Sequence, residues 1–85
     1  MQESPDRSYL SGQRGVLHRH HCIHGVHRSK ADADGLYVML TVAEHTALHD
    51  RGEYDLELKR EAELAWIKTY GTEDDFRKRY GRSYL

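Results

Sequence analysis

The apolar residues of this chain fall into short, separated groups, and the clearest is LYVMLTV, residues 36–42. It is β-branched and apolar, with Asp34 and Gly35 supplying a turn in front of it, and it predicts a strand. Residues 16–23 predict a short strand, with His24, Gly25 and the polar stretch through Gly35 as a return loop. Together they read as a hairpin.

Downstream the period changes from two to that of a helix. Thr41 is placed to cap a helix through AEHTALH, with Glu44 three positions later as the acid of a capping box, and Arg51 and Gly52 as its end. DLELKREAELAWIKTY, residues 55–70, has the length and composition of a strong helix. Leu58, Ala62, Ala65, Trp66 and Thr69 mark one side of it, while Leu56, Glu63 and Tyr70 blur the phase. Trp66 reads as a packing residue rather than a platform for a base. Gly71 ends the helix, and Thr72 with Asp75 opens a short one through Tyr80 that presents Phe76 and Tyr80 on one face. The pattern is α+β: a β-hairpin and helix followed by further C-terminal helices. Residues 1–15 are rich in Ser, Gly and Pro5 and read as a flexible or irregular arm, in which Arg7 and Arg14 either contact phosphate or are simply solvated. Residues 16–85 are expected to form one domain.

Eighty-five residues support only a modest core, so help from a metal or a partner fits the length. The formal net charge of −1 gives no argument for nucleic acid, but its distribution is uneven. Residues 1–30 carry five Arg or Lys against Glu3 and Asp6, with five of the seven histidines; residues 31–64 carry nine acidic residues against three basic. A basic face beside an acidic body suits phosphate on one side only. One cysteine, Cys22, excludes an internal disulfide and cannot build a cysteine-rich zinc site, so it is expected to be a buried or half-buried thiol. No apolar run has the length of a membrane span or a signal peptide, and a cytoplasmic setting is the expectation, that of the host if the chain is phage-encoded.

The histidines carry the chemistry. His45 and His49, one helical turn apart, form half of a divalent-metal site or else fill surface, cap or core roles. They are not a gluzincin pair, because Thr46 stands where Glu is required. A strand-borne His20 can supply a third ligand, while His21 alternates to another side and stays free to take a proton from water. Arg28, and with it Lys30, can hold phosphate oxygens, or both are exposed charges in a long turn.

The order from Leu17 to His49 resembles the HNH, or ββα-metal, nuclease superfamily, with His20-His21 at the paired catalytic position and His45-x-x-x-His49 on the following helix. The longer run from RHHCIHGVHRSK through EYDLELK to YGTEDDFRKRYGRSYL is similar to small phage and prophage proteins of that superfamily, over residues 16–85. The resemblance implies a ββα-metal core and a weakly sequence-specific endonuclease that leaves 5′-phosphate and 3′-hydroxyl ends on DNA, or on RNA. It implies His20, His45 and His49 as ligands of one divalent ion (zinc, magnesium, manganese or nickel) and His21 as general base. The chain departs from the pattern in having no asparagine; His27 occupies the place beside Arg28 where related sequences resemble an Asn-Arg pair. A scaffold that has lost catalysis and serves in nucleic-acid binding or in a phage or host protein assembly is the alternative, and a purely structural zinc protein is a third.

Overall fold

A computed structural model describes residues 1–85. Its elements in order are β1 (Leu17–His21), a 3-10 turn (Gly25–His27), α1 (Arg28–Ala33), β2 (Tyr37–Thr41), α2 (Val42–Arg51), α3 (Asp55–Thr69) and α4 (Glu73–Tyr80). The fold is α+β: an antiparallel two-stranded hairpin with helix α2 against it and further helices on the C-terminal side.

The register pairs His18 with Leu40 and His20 with Val38, and, one step out of phase, Arg19 with Met39 and His21 with Tyr37. Partners directly across an antiparallel pair share a face, so His18 and His20 lie on the side of the buried Val38 and Leu40. Arg19 and His21 lie on the other side, with the Arg19 guanidinium 4.2 Å from the centre of the Tyr37 ring.

The return segment departs from the loop expected of residues 24–35, because RSKADA folds into α1. Its signal in the sequence is faint, since Ala31 is its only buried residue. The helix closes where Gly35, at φ 76°, takes the left-handed conformation and the Leu36 amide donates to the Ala31 carbonyl.

Thr41 is both the last residue of β2 and the N-cap of α2. Its hydroxyl accepts from the Glu44 amide at 3.2 Å, and the Glu44 carboxylate accepts from the Thr41 amide at 2.8 Å. With no residue between strand and helix, the direction in which α2 leaves the hairpin is fixed, and Gly52 ends it in the left-handed region as expected.

In α3 the inward residues are Leu58, Ala62 and Trp66, and the indole donates to Asp34 rather than facing solvent. Glu63, a blemish in the apolar stripe, is fully buried because its carboxylate accepts from the Ser83 hydroxyl and the Tyr84 amide. The second capping box, Thr72 with Asp75, is present, and Phe76 and Tyr80 bury their rings against the core. Residues 1–15 are irregular but tied down: Ser8 is buried and donates to Glu44, and the Tyr9 amide donates to the Met39 carbonyl of β2.

Candidate metal centre

Strand alternation and helix periodicity bring the histidines together. His20, the penultimate residue of β1, projects toward α2 and is 2% exposed, and its Nε2 is buried without a hydrogen-bond partner. An unsatisfied ring nitrogen in the interior costs free energy unless something occupies it. One donor atom from each of His20, His45 and His49 lies within 4.8 Å of the others, a spacing from which modest side-chain movement brings all three onto one ion.

The remaining hydrogen bonds orient this set. His45 and His49 face each other Nε2 to Nε2 at 3.0 Å, near the edge of roughly 3.3 Å expected between two ligands of a tetrahedral zinc. The other ring nitrogen of His45, Nδ1, meets His18 Nδ1 at 3.1 Å. Such an outer contact fixes the tautomer and orientation of a ligating imidazole, so His18 has a definite place behind His45.

Electrostatics favour the neutral forms of His20 and His45. Burial, then the neighbouring His24, His45 and His49, push the His20 pKa down to about 4 against a partial counter-effect of Asp55. Burial and the nearby His49, His18 and His24 lower that of His45 as well. Both rings therefore hold a lone pair at neutral pH, the form a metal requires.

His21 occupies the opposite face, at the meeting point of two polar clefts. One, of about 270 Å³, is lined by His20, His24, His45 and His49 together with Arg19 and Arg28; the other, of about 470 Å³, lies against Arg28, Ser29 and Asp32. Its Nε2 is 2.9 Å from the Asp32 carboxylate, and its Nδ1 accepts from Arg28 Nε at 3.4 Å. With the proton held on Nε2 by Asp32, the Nδ1 lone pair faces Arg28 and the cleft. The Asp32 carboxyl is held below its ordinary value, chiefly by the His21 hydrogen bond, which with Arg19 outweighs the opposing effect of desolvation. Nothing local in the sequence points to Asp32; only the folding of α1 brings it to His21.

Other expected participants sit elsewhere. His27 lines neither cleft: its ring lies against Tyr80 at 5.9 Å between centroids, and its Nδ1 is buried and unpartnered. Lys30 donates to the Arg79 carbonyl at the end of α4, which takes it away from the phosphate role. Cys22 is fully buried in the core, and burial, followed by Glu61 and Asp55, pushes its thiol up to about 12. A neutral, enclosed thiol is not a metal ligand.

Comparison with protein-family models, with curated proteins and with solved structures finds no match. No helix is long and apolar enough to cross a membrane.

Proposed function

We propose that this chain is a metal-dependent phosphodiester hydrolase of the HNH, or ββα-metal, kind, acting on DNA. The observation that carries the reading is the convergence of His20, His45 and His49 around a buried, unpartnered ring nitrogen, with His21 beside them on the opposite face of the same strand.

The donor set fits a divalent ion. Three imidazoles come from two rigid elements, His45 is half-buried and His49 exposed, and the cleft leaves the outer side open for a water or a phosphate oxygen. Three protein ligands with an open position distinguish a working site from a closed structural one. A divalent ion held there supplies Lewis-acid stabilisation of the charge that develops on the phosphate and on the departing 3′ oxygen.

The chain's own residues divide the remaining work. Asp32 holds His21 in the tautomer whose Nδ1 can take the proton of an attacking water. Arg28 meets that nitrogen only at the long end of hydrogen bonding, and a phosphate oxygen is the stronger acceptor for a guanidinium. An arriving phosphate would therefore draw Arg28 onto itself and free the base. The clefts are lined by charged and polar residues, Arg19 and Arg28 among them, which favours contact with the phosphate backbone and weak sequence preference.

The experiment mixes purified protein with supercoiled DNA, linear DNA and RNA across a series of magnesium, manganese, zinc and nickel. His21→Ala is expected to keep the metal and lose roughly 10²- to 10⁴-fold in cleavage, whereas His45→Ala loses both metal and cleavage. A folded, metal-loaded parent that leaves every substrate intact would sink the hydrolytic reading. One observation favours a second reading, a scaffold that binds nucleic acid without cutting it: His27, in the place of the missing asparagine, is packed onto α4 and contributes nothing to the cleft. That scaffold predicts salt-sensitive DNA association with no product and no dependence on His21.

A further inference from the structure

The ring of His20 has a second set of neighbours. His24 lies 5.1 Å away between ring centroids, and its Nε2 is 3.0 Å from Oδ1 of Asp55, the first residue of α3. Donor atoms of His20, His24 and Asp55 all lie within 4.8 Å of one another, the same closeness as in the three-histidine set. We propose that His20, His24 and Asp55 form a second seat for a divalent cation, overlapping the first at His20. The proposal shares that one ligand with the nuclease reading and otherwise stands on different residues.

Three features support a seat rather than a surface ion pair. The buried Nε2 of His20 has no hydrogen-bond partner, so it is free to serve an ion held with His24 and Asp55 as well as one held with His45 and His49. The Asp55 carboxylate is already oriented: Lys59 Nζ holds Oδ2 at 2.7 Å, leaving Oδ1 toward His24. An ion replacing the proton between His24 and Asp55 would keep the two atoms about 3 Å apart, as metal bonds of about 2.0–2.2 Å require.

The two seats differ in what they prefer and in what they hold. A neutral imidazole has one free lone pair, so His20 serves one ion at a time, and the seats exclude each other. The carboxylate makes the second seat harder and more negative, which favours manganese, while the three imidazoles of the first favour zinc or nickel. The first seat joins β1 to α2. The second joins β1 and the residues after it to the start of α3, so the choice of metal decides which helix is clamped to the hairpin.

The test titrates the full chain with manganese, read by the resonance of free Mn²⁺, and with zinc, read by competition with a chromophoric chelator, after circular dichroism has established folding. In Asp55→Asn, manganese affinity is expected to fall at least tenfold and zinc affinity to change less than threefold; His49→Ala is expected to show the reverse. Prior loading with one equivalent of zinc should block manganese. If Asp55→Asn disturbs the fold, His24→Ala makes the same reading. Unchanged manganese affinity in both variants, loss of both metals in His49→Ala, or simultaneous binding of both ions each overturns the proposal. Failure of the wild-type chain to take up zinc would instead overturn the three-histidine reading, and the manganese titration is read independently of it.

Discussion

At the scale of single residues, Asp34 shows how one carboxylate organises side chains distant in sequence. It accepts hydrogen bonds from the Trp66 indole of α3 and from the Arg79 guanidinium and Tyr80 hydroxyl of α4. Burial disfavours its charged form, but the bonds from Tyr80, Arg79 and Trp66 outweigh it and hold the carboxyl below its ordinary value of 3.8. A carboxyl that is more acidic in the folded than in the unfolded chain contributes stability that is present above the unfolded value and lost as pH falls through the folded one. Urea unfolding at pH 6 and pH 3 is expected to show this loss, and Asp34→Asn to reduce it while costing about 2–3 kcal/mol at neutral pH. Asp34 was legible only as a turn residue. The contrast with the candidate metal centre is physical: His20, His21, His45 and His49 are placed by periods of two and of 3.6, which act over a few neighbours and can be read along the chain. The partners of His21 and His45, Asp32 and His18, are set by how whole elements pack, and no local spacing encodes that.

At the scale of elements, both capping boxes, both strands and the two long helices were legible, because their signals are confined to one turn or one strand. The end of α3 was legible for a different reason than the usual one. Gly71 is not in the left-handed region; a Cβ there would come within 2.7 Å of Asp75 Oδ2, the atom that accepts from the Thr72 amide and hydroxyl. Gly71→Ala is therefore expected to push Asp75 off the α4 cap and cost about 1 kcal/mol, visible as a lower Tm and as faster amide exchange in the first turn of α4. Helix α1 escaped the sequence because six residues with one buried alanine have no period to detect. Glu63 misled in the opposite direction, since a charge on an inward face reads as noise until the tail residues that donate to it are in place.

At the scale of the whole molecule, the first residues close what the hairpin leaves open. A two-stranded sheet has two free edges, and the outer edge of β2 meets the irregular arm: the Met39 amide donates to Gln2 Oε1 at 2.6 Å and the Met39 carbonyl accepts from Tyr9 at 2.9 Å. Ser8 ties the same arm to the capping acid Glu44 at 2.5 Å. Removal of residues 1–12 is expected to lower the Tm and to convert a monodisperse solution into growing oligomers by light scattering; a deletion variant that stays monodisperse would show that the edge is guarded by something else. The arm works as a dummy strand. By pairing with β2 at a single residue and then curling away, it occupies the outer edge of that strand without extending the sheet, so a segment without periodicity of its own removes one template for cross-chain sheet growth.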